Sequence, residues 1–402
     1  MENNNSNKNG GILKKILVSG PLLSNSGYGV HSRQIFDLLL LQKEVEIFCD
    51  IKDWGNCPWH LSDEYTGNLF SKIISKHINE DIIQKTNFDE CYSINYPDAW
   101  LKRARKNIGI TAGVETDLVP VEWIHFVKTF DKIIVPSTFS KQAFSNTAKK
   151  LNLNVNDKIF VLPEYFYSEF IERKSKSVQC IEEISTKNNL LVIGQITSLD
   201  ANNDRKNIVN TIESAYRILS NVDDSGIILK VNCENNSRLA YEKLKSLIKP
   251  VINNLKCEVK NPVKIYVLSG NFKPLELKYL YEKSSALLCL SRGEGFGLTL
   301  LETAACGTPI IATNYSAYKE FLGEKFIQVD YQLEKIPSSR VDKMYVKDAK
   351  WANFINKSLH KAILNFFNNI DKHNNISKEL KFEIISKFNK EVIFEKFKEC
   401  LQ

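Results

Sequence analysis

The sequence predicts an α/β chain of two doubly wound, Rossmann-like domains that face each other across a cleft. Three observations predict it. Short apolar runs alternate with helical stretches twice along the chain. A charged, weakly periodic segment, residues 169–189, separates the two alternations. The length, 402 residues, suits two domains of ordinary size. Repeated strand–helix units imply parallel sheets covered on both faces, and two such sheets leave a cleft at their strand ends.

The elements follow in order. Residues 1–11, MENNNSNKNGG, are polar and read as a disordered tail. The first domain, 12–185, opens with a strand at 12–19, a long turn at 20–29, a helix at 30–41 and a strand at 45–49. That is one βαβ unit with a right-handed crossover. Further strands are expected at 90–94, 107–111, 132–135 and 158–162, and 54–59 is a Gly/Pro/aromatic loop. The second domain, 186–370, places strands at 190–196, 227–232, 263–268, 286–290 and 310–312, with helices at 207–220 and 237–254 between them. From Trp351 to the end the pattern is helical, with 371–402 as a terminal helix.

Apolar content of 43% and charged content of 25% are those of a globular protein. No apolar run approaches a membrane span, and no signal peptide is visible. Nine cysteines and six histidines show no metal-ligand spacing, and the scattered thiols point to a reducing, cytoplasmic setting. A net charge of +7 permits an anionic small molecule, a nucleic acid or an anionic surface, and selects none.

The most informative stretch is Leu290-Ser291-Arg292-Gly293-Glu294-Gly295-Phe296-Gly297-Leu298-Thr299-Leu300-Leu301-Glu302. A strand runs into a glycine-rich turn that opens a helix, so unpaired backbone N–H groups and a positive helix end face an anion. Glu294 and Glu302 beside a phosphate site suit hydroxyls, and a diphosphate next to hydroxyls describes a sugar nucleotide. A plain tight turn with solvated glutamates is the competing reading. The stretch continues through Thr303-Ala304-Ala305-Cys306-Gly307-Thr308-Pro309 into a buried strand. Residues 263–320 as a whole closely resemble the donor half of retaining family-4 glycosyltransferases of GT-B fold. They include the paired glutamates with seven residues between them.

The resemblance implies roles for further residues. Lys206, with Arg205 beside it, falls where the family places basic groups on the donor diphosphate. Both sit at the start of a helix, where cations oppose the dipole unless an anion is bound. Glu302 would hold the ribose and Glu294 the sugar hydroxyls, with backbone N–H groups of Phe296, Gly297 and Leu298 on the sugar or phosphate, and Gly295 and Thr299 completing the donor loop. Phe272 either stacks on the base or is core. Gly27, Tyr28 and Gly29 form the first-domain glycine loop opposite the phosphates. His31 is either a packing residue or a substrate contact. The family often has a histidine where Glu115 falls, so this chain departs from the common pattern, and either Glu115 or Asp117 meets the sugar or the acceptor.

No D-x-D and no G-x-x-x-x-G-K-[ST] occurs, so a metal-held diphosphate of the other transferase fold and a nucleoside-triphosphatase loop are not expected. The resemblance implies a metal-independent, retaining transfer from a nucleotide-diphosphate sugar, a UDP-sugar ahead of a GDP-sugar, with no cofactor. It also implies a final helix that crosses back to brace the first domain. The acceptor stays open among a glycan, a lipid and hydroxymethylated DNA. The last arises because ILVSGPLLSNSGYGVHSR, NIGITAGVETD and Glu122-Trp123-Ile124 resemble glycosyltransferases carried by tailed phages. For DNA, Lys102, Arg103, Arg105 and Lys106 are the expected basic cluster. A non-catalytic nucleotide-sugar or DNA-binding module is the remaining alternative.

Overall fold

A computed structural model describes residues 13–64, 66–112, 115–194, 204–231 and 238–402. The tail expected at 1–11, Gly113 and Val114 of the acceptor-side loop, and the far end of the strand expected at 190–196 lie outside the described residues.

The first sheet is six-stranded and parallel. Its strands are β1 (Lys14–Gly20), β2 (Val45–Ile51), β3 (Phe88–Ile94), β4 (Ala104–Ile110), β5 (Lys132–Val135) and β6 (Ile159–Val161), in the order β2-β1-β3-β4-β5-β6. The second sheet holds β7 (Asn188–Gly194), β8 (Ser225–Val231), β9 (Lys264–Ser269), β10 (Ala286–Cys289), β11 (Ile310–Thr313) and β12 (Ile327–Val329), in the order β12-β11-β10-β7-β8-β9. It too is parallel throughout. Side chains on both faces are buried because helices cover both, which is why Ile16, Leu17 and Val18 read as an unbroken apolar run. One hydrophobic core joins the domains: Leu22, Tyr28 and Phe166 of the first belong to the same cluster as Tyr281, Phe296 and Leu301 of the second.

Several expectations are corrected. The first helix spans Gly27–Leu39 and begins three residues early, because Ser26 caps it: its hydroxyl accepts the Gly29 N–H at 3.1 Å. Gly27, Tyr28 and Gly29 are therefore its first turn, not a loop. The segment 169–189 contains two short helices, Ser168–Glu172 and Gln179–Glu182, pinned by buried Phe170 and Ile181. Trp351 is not helical. It lies in β14 (Lys350–Phe354), which pairs antiparallel with β13 (Tyr331–Lys335), and helix resumes only at Asn356. Trp351 is fully buried beneath Arg292, so tertiary packing decides its conformation. The terminal segment is two helices, Ile370–Lys387 and Lys390–Leu401, because Asn389 caps a new start by accepting the Val392 N–H at 2.9 Å.

The last helix does return to the first domain. Phe397 packs against Tyr92 with ring centroids 6.1 Å apart. The Cys400 and Leu401 carbonyls accept from Lys132 Nζ at 3.0 Å and Lys106 Nζ at 3.2 Å.

Candidate functional site

The glycine-rich loop runs from Ser291 to Gly297 and leads into the helix Leu298–Cys306. Gly297 adopts φ 103°, a left-handed conformation that a side chain would strain, and this turn aims the helix N-terminus into the cleft. Backbone amides of Phe296, Gly297, Leu298 and Thr299 donate to no acceptor among the described residues.

Gly293 and Gly295 have a different reason to be glycine. A Cβ on Gly293 would stand 1.9 Å from the Glu115 carbonyl oxygen, and one on Gly295 would stand 2.2 Å from that of Ala112. The two domains meet backbone to backbone there. The Gly295 carbonyl also accepts from Ser137 Oγ at 2.6 Å and Ser140 Oγ at 3.2 Å. Beside this contact, Glu320 of the second domain accepts the N–H groups of Thr138 and Phe139 at 3.0 and 2.8 Å, at the start of the helix Thr138–Lys150. A carboxylate on a helix N-terminus is favourable.

Glu294 is buried at the centre of this contact. Its carboxylate meets Lys206 Nζ at 2.6 Å, Ser291 Oγ at 2.6 Å and Arg205 Nη1 at 3.4 Å. Burial by itself would push the acid up, but Lys206 and Arg205 outweigh it and bring it down to about 2, so Glu294 is ionised at neutral pH. Arg205 also lies 3.5 Å from Glu115 and donates to the Gly293 carbonyl at 2.8 Å. Burial opposes its charge, and Glu115 and Glu294 more than restore it. Both cations stand at the start of the helix Ile208–Leu219. Asp204 caps that helix, accepting the Ile208 N–H at 2.9 Å, and the cations are already faced by two carboxylates.

Glu302 lies within the helix Leu298–Cys306 and accepts the Tyr281 hydroxyl at 2.8 Å. Burial first, and then Glu164 of the first domain, push its acid up to about 7, with the Tyr281 bond working the other way. Glu164 is itself bonded to His31 Nδ1 at 2.6 Å. His31 is buried, and its Nε2 has no partner.

The remaining candidates divide. Phe272 is half-buried with Lys230 Nζ 5.0 Å over its ring; that lysine also donates to the Gly270 carbonyl at 2.8 Å. Gly27 opens onto free space, whereas Gly29 packs on its own chain: a Cβ there would be 2.0 Å from the Ser24 carbonyl oxygen. Tyr28 is buried, with its hydroxyl 2.8 Å from Thr111 Oγ1. Asp117 is occupied elsewhere, accepting the Lys350 N–H at 2.6 Å, so Glu115 is the carboxylate that faces the cluster. The cluster Lys102 to Lys106 stands at the amino end of β4, away from the cleft. There Arg103 pairs with Glu80, Arg105 with Asp89 and Lys106 with Glu90.

Sequence reasoning missed Glu164, Tyr281, Glu320 and the excursion between β13 and β14. None sits in a motif; each acts through a contact distant in the chain. The described residues hold no group of three or more potential metal ligands, and no helix among them is long and apolar enough to cross a membrane.

Two parallel six-stranded α/β domains that meet across a junction make the GT-B fold. A family model described as "Glycosyl transferases group 1" matches residues 253–331, which contain both Glu294 and Glu302. Among curated proteins, the chain is 27% identical over 237 residues to "Putative glycosyltransferase ORF313" of Acidianus filamentous virus 1, covering 58% of this chain and 60% of that protein. It is 32% identical over 80 residues to "Putative glycosyltransferase 48" of Sulfolobus islandicus filamentous virus, covering 20% of this chain and 26% of that one. The chain thus spans less than two thirds of either relative. Among solved structures, a glycosyltransferase from Rickettsia africae superposes with TM-score 0.62 at 17% identity, covering 97% of this chain and 99% of that one. HepE of Anabaena in complex with UDP-glucose gives TM-score 0.61 at 12% identity, covering 96% and 99%. These likenesses show the fold.

Proposed function

We propose that this chain is a retaining glycosyltransferase that moves a sugar from a nucleotide-diphosphate sugar to an acceptor hydroxyl. The observation that carries the reading is the Glu294–Lys206–Arg205 cluster at the free N–H groups of the Leu298–Cys306 helix. Anion-binding amides and an ionised carboxylate with two cations stand within one loop of each other, which is what a sugar diphosphate asks for. Glu294 would accept sugar hydroxyls, Lys206 and the amides of Phe296 to Thr299 would meet the diphosphate, and Glu302 would accept the ribose hydroxyls. UDP is the nucleotide we favour, since HepE of the same fold is solved with UDP-glucose.

In the transfer, the acceptor oxygen bonds the anomeric carbon as that carbon's bond to the diphosphate oxygen breaks. The acceptor's proton leaves with the diphosphate on the same face. Lys206, Arg205 and the helix amides offset the charge that develops there, so divalent metal is not required. Burial of the junction excludes water that would hydrolyse the donor. The eight described cysteines are free thiols, which fits a cytoplasmic setting.

The test is a panel of UDP- and GDP-sugars with the purified chain, read by calorimetry and by release of nucleotide diphosphate, with and without chelator. Binding and turnover of a UDP-sugar in excess chelator are expected. Binding with neither hydrolysis nor transfer would leave a non-catalytic nucleotide-sugar module. Activity lost in chelator and restored by magnesium or manganese would refute metal independence.

A further inference from the structure

A cavity of about 420 Å³ lies at the amino ends of β11 and β12. The sheet is parallel, and the glycine-rich loop follows the carboxyl end of β10. The cavity is therefore at the opposite end of the second domain's sheet from the Glu294 cluster. Its volume falls within that of small-molecule sites, roughly 300–1,000 Å³. Ile310 of β11, with Phe326 and Ile327 at β12, gives it a buried apolar floor. Its walls are the helices Asn356–Asn368 and Ile370–Lys387. On the first, Lys361 and Asn365 are four residues apart, and on the second so are His373 and Ser377, which puts each pair on one helix face towards the cavity.

Positive charge at this cavity is left over. Three lysines line it, and Lys325 is taken, with Glu383 at 2.5 Å and Glu379 at 3.5 Å. Lys361 and Lys372 have no ion-pair partner among the described residues. The one lining carboxylate, Glu324, accepts from Gln328 Nε2 at 2.6 Å. Lys372 also stands in the first turn of its helix, where the dipole favours negative charge. Ser377 is only 4% exposed, yet its hydroxyl has no hydrogen-bond partner among the described residues. A buried hydroxyl left in that state is costly unless something in the cavity meets it. Burial, and then Lys372, lower the proton affinity of His373, so its ring is a neutral polar group beside the two lysines. Its Nε2 meets Asn365 Nδ2 at 3.2 Å, and Nδ1 has no partner among the described residues.

We propose that this cavity is a second ligand site and that it takes a small phosphate monoester, with the phosphate on Lys361, Lys372 and Ser377 and the organic part on Ile310, Phe326 and Ile327. A phosphate monoester carries about −1.5 to −2 charge at neutral pH, which matches two unpaired lysines. A monocarboxylate would leave one of them unmet. Bare phosphate would leave the apolar floor uncovered and most of the volume unfilled. Charge-assisted bonds from the lysines and a neutral bond from the serine hydroxyl together suit several phosphate oxygens.

The experiment is saturation-transfer NMR of phenyl phosphate with the full chain, titrated for affinity, with UDP in excess so that the proposed donor site is filled. The ring protons should show saturation. Inorganic phosphate, the dianion alone, and benzyl alcohol, the ring alone, should each bind about tenfold more weakly or worse. Lys361→Gln combined with Lys372→Gln should weaken phenyl phosphate by about tenfold or more. Lys378→Gln, at an exposed position of the same helix that does not line the cavity, should leave it unchanged. A thermal melt verifies that the variants fold. Absence of saturation at millimolar phenyl phosphate overturns the proposal, as does displacement by UDP. So does binding that the paired lysine variant leaves intact, or that Lys378→Gln weakens equally. Inorganic phosphate or benzyl alcohol binding as tightly as phenyl phosphate overturns the ligand class. Neither lysine belongs to the proposed donor site, so the outcome stands apart from the glycosyltransferase reading, and a chain that fails to bind UDP is tested in the same way.

Discussion

Arg205 reaches from the second domain to Glu115 of the first, guanidinium to carboxylate at 3.5 Å, while its other side holds Glu294 at 3.4 Å. One cation thus ties the domains together and orients the carboxylate proposed to hold the sugar. Both partners are only about a fifth exposed, at 19% and 22%, so solvent screens the pair less than a surface bridge. A double-mutant cycle of Arg205→Met and Glu115→Gln should therefore show a coupling of roughly 0.5–3 kcal/mol in kcat/KM. Additive effects would mean that the pair does not matter to the closed state.

Lys206→Ala should lower kcat by about a hundredfold or more, the cost of losing one charge-assisted contact to a developing charge, roughly 2–4 kcal/mol. The variant also leaves Glu294 with Arg205 and Ser291 alone. Single-turnover kinetics with saturating donor measures the effect. A rate near that of the unaltered chain would remove Lys206 from the chemistry.

Glu302 makes a pH prediction. Its acid is raised from the ordinary 4.5 to about 7, so the folded chain holds a proton that the unfolded chain releases. Stability from this group is fully present below pH 4.5 and is lost as pH rises through about 7. Binding of ribose hydroxyls asks for the ionised form, so donor affinity should rise across the same window. Glu302→Gln should accordingly be more stable than the unaltered chain at pH 8, by roughly 1–3 kcal/mol, yet bind UDP more weakly there. Thermal melts and calorimetry at pH 6 and pH 8 check both halves. Equal UDP affinity of the two chains at pH 8 would refute the ribose role.

How much was legible in the sequence follows from which residues act locally. The run Ala286 to Glu302 carries its own geometry: strand, positive-φ glycine, helix, with two glutamates at fixed spacing. The parallel strands announce themselves because burial on both faces makes them continuously apolar. Trp351 misled because an apolar, weakly periodic run reads alike as helix or strand until its partner is known, and β13 has mostly exposed residues. Glu164 and Glu320 were invisible for the same reason. Each is one glutamate in ordinary local sequence, made significant by a contact with His31 or with the Thr138–Lys150 helix across the fold. The charges at 102–106 looked like a cleft feature only while their end of the strand was unspecified.

Gly295 offers the sharpest test of closure. Its Cα faces the Ala112 carbonyl so closely that an added Cβ would lie 2.2 Å from the oxygen, and the neighbour is backbone, which cannot swing aside as a flexible side chain would. Gly295→Ala must therefore push the glycine-rich loop off the first domain. That breaks the Ser137 bond to the Gly295 carbonyl and loosens the Glu320 cap nearby. The nucleotide groups of the proposed donor site, Glu302 and the Leu298–Cys306 helix, belong to the second domain alone and keep their geometry. UDP should thus bind within about tenfold of the unaltered chain, while kcat should fall by about a hundredfold, as expected when reacting groups are misplaced by an ångström or so. Small-angle scattering with UDP present should show a larger radius of gyration. A melt separates this from misfolding, and Glu320→Gln, which weakens the same closure without a steric clash, should move kcat in the same direction by a smaller factor. Full activity in Gly295→Ala would mean that the reacting state does not use this backbone contact.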